Sequence, residues 1–362
     1  MIFFSFELQK NSPSLFESNL NNIIIFIKRK IDYLQKKMYF ATMELLEIKN
    51  TFNHPLLNRL IKNYRHFRKQ AKKTDSDCFR VYDRDIPEFP LSIDYYAGKF
   101  QVQYYSNEGS EDVPDDLTEA VETGMKTTFG ISNNDIFWKI RKKRALLEQY
   151  EKLSDSKDFF VSKENGISFY INLKDYLDSG LFLDHRPSRE FIANQAASKA
   201  VLNLYSYTAS FSLYCAKAGA SGTVSVDMSN TYTDWARENF ILNGFDLKTN
   251  VLIREDCAKY LKQAYDRRER YDIIIIDPPT ISRSKKMEEM FDINTDHYDL
   301  IISASKLLRS NYSIIFFSTN SRKFKMDEEL NGKFKIEDIS HRTIPEGFRD
   351  KKIHKVFIIK LK

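Results

Sequence analysis

VLNLYSYTASFS, Val201 to Ser212, and IIIIDPP, Ile273 to Pro279, are the stretches on which the fold turns. The first is an apolar strand running into a turn of small and polar residues and then a helix. The second is an apolar strand closed by an acid and two prolines. Between them lie TVSVD, Thr223 to Asp227, and VLIRED, Val251 to Asp256; beyond them lies YSIIFFS, Tyr312 to Ser318. Helical periodicity fills the gaps, over Phe211–Ala218, Asn230–Asn243, Ala258–Arg267 and Tyr298–Leu308. Continuous apolar strands between amphipathic helices predict a parallel sheet buried on both faces. FKIEDIS and HKVFIIK at the end predict an antiparallel pair at its edge. Such a sheet binds ligands in the crevice at the carboxyl ends of its strands.

Outward from this centre, 362 residues are long for one domain. Hydrophobic residues make up 42%, with 28 Phe and 20 Tyr, which supplies real cores and argues against bulk disorder. The cysteines, Cys78, Cys215 and Cys257, are odd in number, far apart and in no CxxC pair, so neither a zinc site nor a disulfide framework is expected. The six histidines are scattered, with His185 set apart only by its place in FLDHR, and no metal motif is present. No secretory signal or membrane-length apolar run occurs, so a cytoplasmic location is expected.

The net charge of +6 is unevenly spread. Residues 1–50 read as an unassigned extension, with a short helix expected over Ile23–Phe40. Residues 51–76 read as a basic helix. From His54, Leu57, Leu60, Ile61, Tyr64, Phe67 and Ala71 fall at helical spacing, and the other face carries Arg59, Lys62, Arg65, Arg68, Lys69, Lys72 and Lys73, with no acid from His54 to Thr74. One-signed charge of this kind suits a phosphate backbone. Residues 77–155 read as a small α+β domain, with strands over Phe79–Ser106 and a helix over Asp112–Thr128. Tyr95, Tyr96, Tyr104 and Tyr105 are candidates for base stacking, with a core role as the competing reading. A second basic patch, Lys139, Arg141, Lys142, Lys143 and Arg144, follows, and Ser154–Asp158 reads as a linker. Residues 156–362 form the catalytic region.

The chemistry sits at the strand ends. The SYTAS turn lacks the GxGxxG of a dinucleotide cradle and the GK[ST] of a P-loop. Asp227 can take both hydroxyls of a ribose, with helix capping as its competing role. Asp256, with Cys257 beside it, can accept from an adenine amino group or cap its helix. Asp277-Pro278-Pro279 is a stiffened loop that can grip a base undergoing methylation, with S-adenosylmethionine as the nucleoside in the crevice.

Four runs together, VLNLYSYTASFS, SVDMSNTYTDWARENFILNGF, IIIIDPPTISRSKKM and FFSTNSRKFKMD, resemble the class I S-adenosylmethionine-dependent RNA methyltransferases. Among these the chain is most similar to 23S ribosomal RNA guanine-N7 methyltransferases, which in some bacteria form the C-terminal half of a bifunctional guanine methyltransferase. GLFLDHRPSR, LLNRLIKNYRHFRKQAKK and CFRVYDRDIPEFPLSIDYY share the resemblance, which begins near Pro55. It implies an α/β, Rossmann-like seven-stranded core behind a smaller α+β domain and the basic helix. It implies that Asp184 and Arg186 lie over the cofactor and that Asn203, Tyr205, Tyr207 and Thr208 line its methionine end. Asp227 and Met228 then meet the ribose, Asp256 and Cys257 the adenine, and Asp277 to Pro279 the reacting base. Ala209 departs from the family's usual glycine. RNA contacts are expected from Arg65, Arg68, Lys69, Lys72, Arg141 and Lys142. The implied partner is 23S ribosomal RNA or a large-subunit assembly intermediate, with monomer and homodimer both open.

The target atom follows partly from chemistry. Transfer to cytosine C5 needs a thiolate that first adds to C6. DPPTISRS and FFSTNSR, at the ends of the fourth and fifth strands, contain no cysteine. Guanine N7 has its own lone pair and needs no such nucleophile. Cytosine-C5 transfer and an inactive RNA-binding protein of the same fold are the alternatives.

Overall fold

The structure, a computed structural model, describes residues 45–49, 53–105, 112–141, 154–282 and 290–362. The helix expected over Ile23–Phe40, and Lys142, Lys143 and Arg144 of the second basic patch, lie outside them. The chain divides into two units, Met1–Leu45 and Leu46–Lys362, and every element below belongs to the second.

Helix α1 (Pro55–Lys73) opens on a proline at its first position, where a missing N–H costs nothing, and buries Leu56, Leu57, Leu60, Ile61, Tyr64 and Ala71. It packs on β1 (Cys78–Asp83). Strands β2 (Leu91–Tyr96) and β3 (Lys99–Tyr105) continue antiparallel from β1. The chain then crosses through α2 (Asp115–Phe129), and β4 (Ile136–Arg141) joins parallel to β3. The small sheet therefore has the order β1-β2-β3-β4. Tyr95, Tyr96 and Tyr104 are buried in it, at 0, 2 and 7% exposure. Base stacking by these three is corrected to a core role: Tyr95 packs edge-on against Tyr64 of α1, and the Tyr96 hydroxyl meets Ser179 Oγ at 3.0 Å. Tyr105 is half-buried under the Arg84 guanidinium.

Strands β5 (Phe160–Glu164) and β6 (Ile167–Ile171) form a hairpin whose two-residue turn is Asn165-Gly166, both at positive φ. Asn-Gly is the pair a primed turn demands, since both central residues are left-handed. The acidic stretch before it is no loose linker. The Asp175 carboxylate accepts from the Ser156 and Lys157 amides, at 2.8 and 2.9 Å, and from the Ser154 hydroxyl. Helix α3 (Arg186–Ala193) leads into the large sheet.

That sheet comprises β7 (Ala200–Leu204), β8 (Gly222–Asp227), β9 (Asn250–Arg254), β10 (Ile273–Ile276), β13 (Ile314–Thr319), β14 (Phe334–Asp338) and β15 (Lys355–Leu361). Its order is β14-β15-β13-β10-β7-β8-β9. β9, β8, β7, β10 and β13 run parallel, and β15 and β14 close one edge antiparallel, as expected. Helices α4 (Ser210–Lys217), α5 (Asn230–Leu242), α6 (Cys257–Asp266) and α7 (Ile293–Ser305) connect the parallel strands, and a short ribbon, β11 (Ile281–Ser282) with β12 (Phe291–Asp292), follows the DPP loop. The alternation within β10 shows why the strand is apolar throughout. Ile274 and Ile276 join one core with Leu202, Leu204, Ile315 and Phe317. Ile273 and Ile275 join the opposite core with Val201, Ile314 and Phe316.

Candidate active site

Register aligns the strand ends. Ile276 pairs with Leu204, Leu204 with Val226, and Val226 with Ile253. One residue further along each strand, Asp277, Tyr205, Asp227 and Arg254 therefore form the next row. Neighbouring strands are about 4.8 Å apart, so Asp277 and Asp227 face each other across Tyr205 over roughly 10 Å. The chain reverses direction here, since β8 lies on one side of β7 and β10 on the other. That is the switch point at which doubly wound sheets bind ligands. Asp256 lies two residues beyond β9, close to its strand end as Asp227 and Asp277 are to theirs.

The loop after β7 is held by its own amides. Tyr205 N donates to Cys257 Sγ at 3.3 Å, Ser206 N to Val226 O at 3.0 Å, and Tyr207 N to Asp227 Oδ2 at 2.9 Å. Tyr205, Tyr207 and Ala209 all have left-handed φ, at 54, 52 and 60°. Side chains dislike that region, at about 1 kcal/mol or more each. Ala209 therefore occupies a backbone position that glycine would fill without strain. Its methyl is fully buried among Leu181, Leu213, Ala236 and Phe240.

Asp227 Oδ1 accepts from Ser229 N at 2.9 Å, and burial pushes its carboxyl up. Ser229 caps α5 by accepting from Tyr232 N, so Asp227 is not that cap. Each carboxylate oxygen keeps a lone pair for a hydroxyl. Asp256 does cap α6, its Oδ1 accepting from Lys259 N at 2.9 Å, which leaves Oδ2. Met228 is half-buried beside Asp227, and Pro278 is buried in the loop that Asp277 and Pro279 flank.

Residues 141–310 match the family described as S-adenosylmethionine-dependent methyltransferases. The chain is 42% identical over 329 residues to "Ribosomal RNA large subunit methyltransferase K" of Neisseria meningitidis, covering 90% of this chain and 92% of that protein. The chain belongs to this S-adenosylmethionine-dependent methyltransferase family. It is also 42% identical to the K/L methyltransferase of Cellvibrio japonicus, of whose length it spans 42%. Its fold is similar to a candidate methyltransferase complexed with SAH (TM-score 0.65, 26% identity, 86% of this chain and 83% of that one). A candidate SAM-dependent methyltransferase from Streptococcus mutans has the same score and identity, over 88 and 87%.

The donor of this methyltransferase is S-adenosylmethionine. The chemistry of the row fits it: acceptor oxygens on Asp227 for ribose hydroxyls, an acceptor on Asp256 for an amino group, and no cradle of free amides for a pyrophosphate. Three residues expected against the cofactor are instead committed within the protein. Arg186 donates to Glu164 Oε2 at 2.8 Å and to Cys78 O. Asn203 is 2% exposed and donates to Ser212 Oγ at 3.0 Å. Thr208 is fully buried and donates to Gly180 O at 2.7 Å. Their polar atoms support the loops around the crevice.

Around Asp277 the structure assembles groups from distant parts of the chain. Its Oδ1 accepts from the Ser318 hydroxyl at the end of β13, and its Oδ2 lies 3.8 Å from His185 Nε2. That same nitrogen lies 3.9 Å from Asp184 Oδ2. Asp184 in turn takes His354 Nδ1 at 3.2 Å, and His354 Nε2 meets Thr343 Oγ1 at 3.0 Å. The two imidazoles stack, centroids 4.5 Å apart and planes 18° from parallel. Asp184, His185 and His354 are close enough for a metal ion. Stacked rings, however, keep their in-plane lone pairs nearly parallel, whereas a shared ion needs them to converge. Asp184 is named by the resemblance through FLDHR, as a residue over the cofactor; its bond to His354, and Ser318, gave no local signal.

The methyltransferase's basic helix α1 keeps Lys62, Arg65, Lys69, Lys72 and Lys73 exposed. Lys62, Arg65, His66 and Lys69 line an open groove of about 410 Å³ with Asn58 and Ile61. Arg68 differs: it is half-buried and paired with Glu47. Of the second patch only Lys139 and Arg141 are among the described residues, and both bond within the protein. Lys139 is buried, donates to Lys174 O at 3.1 Å, and is pushed down to about 8, chiefly by burial. Arg141 donates to Gln103 Oε1 at 2.8 Å and Asp178 Oδ1 at 3.1 Å. Both sit on β4, of which Ile136 and Lys139 are buried and the other residues half-buried. Among the described residues no helix is long and apolar enough to cross a membrane.

Proposed function

We propose that this methyltransferase methylates N7 of a guanine in large-subunit (23S) ribosomal RNA. Three things support the reading. The relatives matched over most of this chain carry large-subunit ribosomal RNA methyltransferase names. Asp227 and Asp277 close strands two spacings apart, roughly 10 Å, about the length of a nucleoside. The described ends of β10 and β13 carry no thiol. The single observation that carries it is the row of acids with the DPP loop locked at one end.

Bound S-adenosylmethionine supplies an electrophilic methyl group on a sulfonium. Asp227 and Asp256 would hold its nucleoside, leaving the DPP loop as the place for the acceptor base. Guanine N7 attacks in line with its own lone pair; the S–CH3 bond breaks as N–CH3 forms, and the sulfur keeps the electron pair. Positive charge passes to the guanine, where the Asp277 carboxylate stabilises it. No base is required, so orientation accounts for most of the acceleration. A cytosine-C5 mechanism lacks its nucleophile. Cys78, Cys215 and Cys257 are all buried, and burial raises each thiol, Cys215 to about 12.

The target base must leave its stack to reach the loop, and α1 would hold the neighbouring phosphates. Free ribosomal RNA and an assembly intermediate both suit such a grip. The test is nucleoside mass spectrometry of 23S RNA from cells with and without the gene. Loss of one 7-methylguanosine, restored by the purified protein and S-adenosylmethionine, is expected. Loss of 5-methylcytidine instead, or no change, refutes the reading.

A further inference from the structure

We propose that His185 is the positioning residue for Asp277, holding the DPP loop's carboxylate in the orientation that methyl transfer requires. This rests on the methyltransferase reading above. It adds a role for a side chain outside the expected cofactor and base contacts.

Among the described residues, two side chains can hold Asp277. Its Oδ1 takes the Ser318 hydroxyl, and its Oδ2 faces His185 Nε2 at 3.8 Å. His185 comes from the short turn Leu183–His185, far from β10 in sequence, and is 7% exposed. Every group packed against it fixes the ring. Nδ1 meets Ser188 Oγ at 3.4 Å, one face stacks on His354, and Phe211 lies edge-on at 5.8 Å. Two carboxylates, Asp184 and Asp277, lie 3.9 and 3.8 Å from Nε2, an arrangement that favours a hydrogen on that nitrogen. Burial lowers the pKa of His185 against the pull of both acids. A second charge on His354, 4.5 Å away, would oppose protonation further. His185 Nε2 thus lies 3.8 Å from Asp277 Oδ2, longer than a hydrogen bond, as a fixed polar neighbour that limits where the carboxylate can turn. Asp184, behind the pair, takes His354 Nδ1 at 3.2 Å and keeps that ring oriented.

Two substitutions separate this role from simple packing. In His185→Asn the amide keeps the Ser188 side but does not reach Asp277. In His185→Gln it extends to the Nε2 position. Methyl incorporation from labelled S-adenosylmethionine into large-subunit RNA from cells lacking the gene is measured on the full chain, with melting temperatures alongside. His185→Asn is expected to lower kcat roughly 10- to 100-fold, the size of effect that misplacing a reacting group produces, with the KM for S-adenosylmethionine within about twofold. His185→Gln is expected to recover most of kcat at a similar melting temperature. Full activity in His185→Asn, equal loss in both variants, or a loss confined to the S-adenosylmethionine KM overturns the proposal. Mass spectrometry of the product judges the target atom separately. Methylation elsewhere than guanine N7, still impaired in His185→Asn, sinks the target and keeps the positioning role. No incorporation by the unaltered protein sinks both.

Discussion

At the scale of single residues, position and charge decide what a side chain can do. Asp227 holds two backbone amides and still has acceptor capacity, which suits a ribose diol. Asp227→Asn keeps the shape and removes the charge. A hydrogen bond to a charged group is worth about 1.5–3 kcal/mol, so S-adenosylmethionine affinity is expected to fall roughly 10- to 100-fold by calorimetry. Lys139 offers a test by pH. Its pKa is about 8 folded, against about 10.4 for an unfolded lysine. The unfolded chain therefore binds more protons between those values, and stability from this group rises with pH across that window. Below about 8 the buried charge is a constant penalty. Lys139→Met is expected to flatten the rise between pH 8 and 10 in urea titrations, while an unchanged slope would assign that rise to other groups.

At the scale of elements, α1 separates its tasks by face. Leu57, Leu60, Ile61 and Tyr64 dock it, and Lys62, Arg65, Lys69 and Lys72 stay in water. Replacing those four cations with alanine is expected to lower the salt slope of RNA binding by about 3, at about 0.7–0.9 for each phosphate no longer neutralised. S-adenosylmethionine affinity should not move. An unchanged slope in binding titrations from low to high salt would place the RNA elsewhere. The β5–β6 hairpin shows the converse, an element announced by two residues. Asn165-Gly166 prescribes its turn, and the paired strands then bring Glu164 into the interior.

At the scale of the whole molecule, Glu164 joins parts that the chain order keeps apart. It accepts from Arg189 at 2.6 Å, Arg186 at 2.8 Å and Tyr214 at 2.7 Å, and Arg186 continues to the carbonyl of Cys78 in the small sheet. Those two guanidiniums hold the Glu164 carboxyl below its ordinary range despite full burial. Glu164→Ala would leave both without their carboxylate. A broken buried pair costs about 3–5 kcal/mol, a drop that denaturant unfolding would read directly. A loss under about 1 kcal/mol would mean that the cluster relaxes or hydrates. The C-terminal segment adds a second join, with Arg349 N donating to Asp83 Oδ2 at 2.8 Å.

The strand-by-strand periodicity and the acids at the strand ends were sufficient, without coordinates, to read a doubly wound sheet and the edge carrying its ligand. Both are local properties: burial on two faces requires unbroken apolar runs, and a polar residue terminates each run. Direction of side chains was not local. Tyr95, Tyr96, Lys139 and Arg141 alternate as exposed or buried strand residues equally well, and only the packing around the small sheet decides between them. Arg186 looked like a ligand until its guanidinium found Glu164. His354 lies 170 residues from Asp184, so no spacing rule announces the pair. Sequence determined the strands and the acids at their ends; tertiary packing decided which polar groups stay free, because a buried donor takes whatever acceptor the fold brings within reach.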